Sequence, residues 1–372
     1  MASGSKHIVE ELLAHADIKI GGNRPWDLAV HDERFYDRVM AEGSLGLGES
    51  YMDGWWDCTA LSEFFYRLAR EHVIEYTPRT FSAAWHTLKA RLWNLQTKTG
   101  SLKVAREHYD LGNDLYDSFL DPFNQYTCGY FKDTEDLNEA QEKKLDMICR
   151  KLQLKPTDKV LDIGCGWGGF SKFAASRYGC HVTGLTISKE QAAYAREFCK
   201  GLPVEIVEKD YRDVEGSFDK VLICGMIEHV GYKNYRTIIE SVHRVLKDSG
   251  LFLLHTIGRD VSGVIADPWI EKYIFPHSML PSIKQLSSAF EGLFVMEDWH
   301  NFGVSYAKTL HGWYDNFTRN WHTIESKYGN RFKRMWEYYL LSCEGVFRAR
   351  GMHLWQIVLS KEGVLGGYVT VR

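Results

Sequence analysis

Several groups of residues in this sequence have the types and spacing to do chemistry. The first is Val160-Leu-Asp-Ile-Gly-Cys-Gly-Trp-Gly-Gly169, where an apolar run meets Gly164, Gly166 and Gly168 and then reads on as a helix. Glycines at that spacing permit a tight turn, a close approach of backbone to a ligand, and a helix N-terminus that faces it. Asp162 precedes the first glycine, and no acidic residue ends the second strand, where the ribose of a dinucleotide would want one. A second group, Thr186-Ile-Ser-Lys-Glu-Gln191, reads as a capping box on Ser188 and Gln191, and a cap does not exclude a ribose contact from the same loop. Lys209-Asp-Tyr-Arg-Asp213 reads either as a polar loop or as an adenine contact through Asp210 and Tyr211. The last group is Gly225-Met-Ile-Glu-His-Val-Gly231 with His255-Thr-Ile-Gly258. One Glu or His there would read as a helix cap or a satisfied core group. Two strand ends that deliver Glu228, His229 and His255 to one edge read as acid/base machinery.

The elements that must position these groups show in the patterning. From about residue 134, strands alternate with helices. A helix at 137–152 (Leu137, Ala140, Leu145, Ile148, Cys149, Leu152) ends before Pro156. Strands follow at Lys159–Ile163, His181–Leu185, Val204–Val207, Lys220–Cys224 and Leu251–His255. Helices are predicted from the glycine loop to Tyr178, from Ser188, and over Lys233–Leu246. That alternation predicts an α/β fold with a doubly wound parallel sheet and ligands at the carboxyl ends of its strands. Beyond residue 260 the pattern loosens into aromatic helices and ends in a strand-like Leu354–Ser360.

Residues 1–96 differ in texture and predict a smaller, mainly helical N-terminal domain. Leu61, Phe64, Phe65 and Leu68 recur at i, i+3, i+4 and i+7. Phe81, Ala84, Trp85, Leu88, Leu92 and Leu95 continue such a stripe, with Lys89, Arg91, Lys98 and Lys103 on or beyond it. That is either packing or the apolar face and basic flank of an interfacial helix. Glu42–Trp56 is turn-rich and aromatic, Met52–Trp56 offering a second lipid-facing surface. Residues 97–106 read as a linker and 107–372 as the catalytic domain.

At 372 residues the chain is long enough for two cores. Its charge, 45 basic against 49 acidic residues, lacks the basic field a nucleic-acid binder needs. No apolar stretch is long enough to span a membrane, and Met1–Lys6 does not read as a signal peptide, so the expectation is cytoplasmic. The eight cysteines have no zinc-ligand or disulfide-scaffold spacing and read as reduced thiols, with no metal site. The 12 Trp, 20 Tyr and 19 Phe are numerous enough to suit apolar or cationic ligands as well as cores.

The D-x-G-x-G-x-G run resembles the S-adenosylmethionine (SAM) site of class I methyltransferases. Glu42–Trp56, Gly112-Asn-Asp114, Tyr126-Thr-Cys-Gly-Tyr130, Val160–Gly169, Gly225–Gly231, Leu253–Gly258, Asp298–Gly303 and Phe347-Arg-Ala-Arg350 follow one another through nearly the whole chain. Together they resemble the cyclopropane fatty acid synthase family. The resemblance implies a Rossmann-like methyltransferase domain with a lipid-docking N-terminal domain. It places SAM on Tyr126, Thr127, Asp162, Gly164, Cys165, Gly166, Trp167, Gly168, Gly169, Thr186, Ile187, Ser188 and Gln191.

The implied reaction adds the SAM methyl to the cis alkene of a phospholipid acyl chain, shelters a carbocation among aromatic rings, and removes a proton so that a cyclopropane closes. The family's base is a bound bicarbonate ion, whose implied holders are the Cys128 and Ile257 backbones with Glu228, His255 and Tyr306. A carboxylate beside an anion repels it, so a proton must be shared among Glu228, His255 and the ion. Cys343 matches a position to which the family assigns a thiol. Its neighbours Tyr339, Leu340, Val346 and Phe347 read as packing, and a thiolate would be methylated or quench the cation. The implied partner is phospholipid at the inner face of the cell membrane, contacted peripherally. A homodimer is compatible with the sequence, and nucleic acid is not a partner. Open alternatives are a methyl-branched or methylene lipid product, a small-molecule N-methyltransferase, and a non-catalytic lipid-binding protein on the same frame.

Overall fold

The computed structural model describes residues 2–73, 112–264 and 266–372. The linker at 97–106 and the stripe from Phe81 to Leu95, with Lys98 and Lys103, lie outside the described residues. The chain forms two compact units. One draws on Met1–Trp93, Val264–Pro276 and Tyr306–Met352, the other on Asn94–Gly263, His277–Ser305 and His353–Arg372. The expected single cut near residue 100 is therefore replaced by an interleaved division, in which two later segments complete the helical unit.

In the helical unit the early helices are Ala2–His15, Arg34–Glu42, Ser44–Met52 and Leu61–Arg70, and β1 (Ala29–Val30) pairs antiparallel with β2 (Trp56–Asp57). The stripe Leu61, Phe64, Phe65 and Leu68 is buried as its spacing predicts. It meets the long helix Glu325–Arg348: a Cβ added at Gly345 would stand 2.5 Å from the Ser62 carbonyl and 2.7 Å from Phe65 Cβ. The turn-rich reading of Glu42–Trp56 gives way to the helix Ser44–Met52, because close packing rewards glycine inside it. A Cβ at Gly46 would meet the Arg38 carbonyl at 2.4 Å, and one at Gly48 the Trp269 ring at 2.3 Å. Of the expected Met52–Trp56 surface, Met52 and Trp56 face inward instead, buried in the unit, and Trp55 lies under the Arg34 and Arg38 guanidinium groups at 4.6 and 5.0 Å.

The other unit is built on seven strands: β3 (Lys159–Ile163), β4 (His181–Thr186), β5 (Val204–Glu208), β6 (Phe218–Cys224), β7 (Leu246–Gly258), β8 (Val295–Asn301) and β9 (His353–Ser360). Their order is β5-β4-β3-β6-β7-β9-β8, with β3 to β7 parallel and β9 antiparallel to both its neighbours. This is the doubly wound α/β sheet the alternation predicts, with an antiparallel edge. Sequence periodicity misses β8 because it is an edge strand in which only Asp298 is buried. The helices Leu137–Lys151, Gly169–Tyr178, Lys189–Phe198 and Tyr235–Val245 flank the sheet strands within this unit. Leu145, Ile148 and Leu152 pack with Val160, Phe170, Phe173 and Leu222 in one core cluster, and Ile238, Ile239 and Val242 pack with Val221, Ile223 and Phe252 in another. The order switches between β4 and β6 on either side of β3, which leaves a crevice at the carboxyl ends of these strands.

Candidate active site

The glycine loop leaves β3 at Ile163, and Gly164, Gly166 and Gly168 have φ of +81°, +54° and +84°. The Gly164 and Cys165 amides both donate to the Leu185 carbonyl at 2.9 Å, which ties the loop to the end of β4. The glycines do different jobs. At Gly169 a Cβ would fall 1.9 Å from the Phe123 carbonyl, so that position is closed by the protein's own backbone. At Gly166 a Cβ would meet nothing within 4 Å, which is the space a ligand would need.

Around this loop stand the other residues the resemblance assigns to SAM. Asp162 is buried and accepts from Ser171 Oγ at 2.8 Å, and burial pushes its pKa up to about 7. Trp167 donates to Asn113 Oδ1 at 3.2 Å and packs on Tyr116 with ring centroids 4.7 Å apart. Tyr116 in turn meets Tyr126 at 5.4 Å, so the helix Asn113–Phe119 roofs this corner with aromatic rings. Cys165 is buried, and its thiol is held well above the usual range.

Ser188 Oγ accepts the Gln191 amide at 3.3 Å as a cap, while the Gln191 side chain is engaged by Thr186 Oγ1 at 3.0 Å. Only half of the capping box forms, and the Thr186–Gln191 loop, with Ile187 half-buried in it, lies at the end of β4. Asp210 accepts from the Arg212 backbone and guanidinium at 2.9 Å. The Tyr211 hydroxyl is buried with no hydrogen-bond partner among the described residues.

The acid/base residues come from β6 and β7, paired with Cys224 opposite His255. The Gly225 amide donates to the His255 carbonyl at 2.9 Å and locks the two strand ends together. Glu228 sits in a single 3-10 turn, Ile227–His229, and its Oε1 accepts the Ile257 amide at 2.8 Å. Its other oxygen, Oε2, is buried without a hydrogen-bond partner, and burial pushes the carboxyl up to about 7. His255 is 1% exposed. Its Nδ1 faces the Gln356 amide nitrogen at 3.2 Å, Nε2 is buried without a partner, and burial holds the ring neutral. Burial also lowers His229, to about 4. The Ile257 amide, part of the backbone that the resemblance assigns to the bound ion, holds the Glu228 carboxyl in place.

Cys128 is buried in the same unit as Glu228 and His255. Tyr306 and Cys343 belong to the helical unit. Tyr306 is buried there against Phe347 and Trp313, at 4.5 and 6.1 Å between centroids. Cys343 keeps some exposed surface as a residue, but burial of its thiol pushes the pKa up to about 12, so it is not an ionised nucleophile near neutral pH.

Sequence reasoning missed three supporting residues. Gln141 and Lys144 are both fully buried on the helix Leu137–Lys151. Gln141 Nε2 holds the Thr127 carbonyl at 2.8 Å, and Lys144 Nζ holds Thr127 Oγ1 at 2.9 Å. The signal was available: Leu137, Ala140, Gln141, Lys144, Leu145 and Ile148 share one helical face, so two polar residues stand inside an apolar stripe. Gln356 had no such signal, because only the pairing of β7 with β9 sets it opposite His255.

The glycine-loop crevice and two buried acid/base residues, Glu228 and His255, thus stand together at the ends of adjacent strands. Residues 96–357 match the family model described as mycolic acid cyclopropane synthetase. The chain belongs to this family. Among its relatives, the cyclopropane-fatty-acyl-phospholipid synthase of Escherichia coli (strain K12) is 52% identical over 365 residues, 98% of this chain and 95% of that protein. A probable fatty acid methyltransferase of Pseudomonas putida is 38% identical over 269 residues, 68% of each chain. Among solved structures, the mycolic acid cyclopropane synthase CmaA1 complexed with SAH and CTAB is 28% identical with a TM-score of 0.65, covering 70% of this chain and 98% of that one. Coclaurine N-methyltransferase, 20% identical with a TM-score of 0.71 over 85% of this chain, shares the fold. This cyclopropane synthetase family member is a SAM-dependent methyltransferase.

Proposed function

We propose that the enzyme adds a methylene unit, derived from the SAM methyl group, across the cis double bond of unsaturated acyl chains in phospholipids, with bound bicarbonate assisting. The observation that carries the base assignment is the pair Glu228 Oε2 and His255 Nε2. Both are buried and neither has a hydrogen-bond partner among the described residues, so a small oxyanion fits the donor set. Bicarbonate, when bound, would supply the base that removes a proton from the newly added methyl.

The chain's own residues prepare that place. With Gln356 donating to Nδ1, His255 carries its proton on Nε2 as a neutral donor. With Oε1 occupied by the Ile257 amide, a proton on Glu228 resides on Oε2, and a carboxyl near 7 can hold or release it at neutral pH. With Glu228 in its protonated form neither group repels an anion, and the two can pass a proton through a shared ligand. The Cys128 backbone, in the same unit, would join them in holding the ion. The glycine loop, the Thr186–Gln191 loop and the Tyr126–Thr127 corner would hold SAM, which when bound would supply the methyl group.

The similarity over 98% of the chain to a phospholipid-acting enzyme supports lipid as the substrate. No helix among the described residues is long and apolar enough to cross a membrane. The enzyme works in our reading as a peripheral protein at the inner face of the cell membrane, reached from the cytoplasm, with lipid docking assigned to the helical unit that holds the N-terminus. Incubation with SAM and vesicles of monounsaturated phospholipid tests the reaction by acyl-chain mass and alkene signal. A gain of one CH₂ with loss of the alkene is expected. A gain with the alkene retained, or methylation of an amine headgroup instead, would overturn it.

A further inference from the structure

Two lysines, Lys144 and Lys151, are wholly buried on one face of the helix Leu137–Lys151, and they are compensated differently. Lys151 has a carboxylate, Asp298, 3.4 Å away, as a buried ammonium ordinarily requires. Lys144 gives its hydrogen bonds to two neutral oxygens, Gln125 Oε1 at 2.5 Å and Thr127 Oγ1 at 2.9 Å, and burial lowers its pKa below the ordinary lysine value, so a bound anion is what would hold the proton on it. The buried carboxyls that feel its charge are already engaged. Asp121 accepts the Phe123 and Gln125 amides at 2.9 and 2.8 Å, and Asp162 accepts from Ser171.

The partners of Lys144 lead into the site. Gln125 packs on the start of the helix after the glycine loop, since a Cβ at Gly169 would stand 2.2 Å from its Nε2. Thr127 packs on the end of β6, its Cγ2 lying 2.6 Å from where a Gly225 Cβ would be. Between and beside them are Tyr126 and Cys128. The charge also acts on His255 from one side, with Lys151 adding to it and neutral Gln356 on the β9 side.

We infer that Lys144 supplies the buried positive charge against which a carboxylate-type anion is held in this site, while it pins Gln125 and Thr127 to the glycine loop and to β6. Two anions have that chemistry: bicarbonate, and the carboxylate of SAM itself. The bicarbonate arm rests on the function proposed above, and the SAM arm does not. In either case Lys144 acts as a positioning and charge-balancing residue.

The test uses the full chain and two nearly isosteric changes. Gln125→Glu sets a carboxylate on the same ammonium, so the charge is balanced from within while the bond to Lys144 remains; it gives up the Gln125 Nε2 bond to the Phe123 carbonyl, a loss the thermal melt reads. Lys144→Gln removes the charge. For each, the half-saturating bicarbonate concentration is read in carbonate-depleted buffer, and the affinities for SAM and decarboxylated SAM are read by calorimetry, beside a thermal melt. An increase of about tenfold or more in the bicarbonate constant, with SAM affinity kept, assigns the charge to bicarbonate. A matching loss for SAM but not for decarboxylated SAM assigns it to the cofactor carboxylate. Both constants unchanged in folded Gln125→Glu overturn the inference, whether or not Lys144→Gln folds. A wild-type rate indifferent to bicarbonate sinks the bicarbonate reading alone and leaves the SAM arm to decide Lys144.

Discussion

Glu228 Oε1 accepts the backbone amide of Ile257 at 2.8 Å, and this bond joins the turn after β6 to the end of β7. The two residues are 29 apart in sequence. Their contact leaves one carboxyl oxygen committed to architecture and the other buried and unclaimed, which is how a structural carboxyl becomes an acid/base group.

Replacing that carboxyl separates binding from turnover. Glu228→Gln keeps an acceptor for the Ile257 amide, so SAM affinity by calorimetry is expected to stay near wild type. Turnover should fall about 10²-fold or more, the scale of a lost acid/base group. Equal losses in SAM affinity and rate would mean the residue only builds the site.

Stability follows from the same burial. The folded pKa of Glu228, about 7, lies above the ordinary 4.5, so the folded protein favours the protonated form. Its contribution is fully present below about pH 4.5 and is lost as pH rises through about 7. Glutamine has no such loss. The melting temperature of Glu228→Gln relative to wild type should therefore climb between pH 5 and pH 8, and a pH-independent difference would show that the carboxyl is not perturbed as described.

The glycine loop yields a paired expectation. Gly166→Ala meets open space, and its strain is that of φ +54°, about 1 kcal/mol, so the protein should fold yet bind SAM more weakly. Gly169→Ala drives a methyl into the Phe123 carbonyl and should cost about 2 kcal/mol or more by denaturant unfolding. Wild-type SAM affinity in Gly166→Ala would remove the loop from the binding site.

A thiol near 12 is protonated and packed rather than poised. Cys343→Ser is accordingly expected to keep substantial activity on vesicles. A folded but inactive Cys343→Ser protein would restore the thiol to the mechanism.

Removing residues 1–70 is expected to do more than detach a docking module. The face of Leu61, Phe64, Phe65 and Leu68 packs against the helix Glu325–Arg348 at Gly345, so truncation would bare that helix. The shortened chain should show a lower, less cooperative melt and bind a hydrophobic dye. An unchanged melt would mean the interleaved helical unit does not fold as one.

What the amino-acid sequence determines alone is local. Period-3.6 and alternating patterns encode the buried stripe of Leu61–Leu68 and the strand–glycine–helix run at 159–178, because those faces lie within a few residues of one another. The chemistry-bearing residue types, Glu228 and His255 at consecutive strand ends, are legible for the same reason. Only tertiary structure decides the rest. The Ile257 amide goes to Glu228, Gln356 arrives beside His255 from a strand 101 residues later, and β8 forms at an edge from a segment with no clear period. The helix Ser44–Met52 keeps its glycines because Arg38 and Trp269 press against them. In each case a partner distant in the chain supplies the hydrogen bond or the contact, and backbone propensity carries no information about partners that only the packed fold brings near.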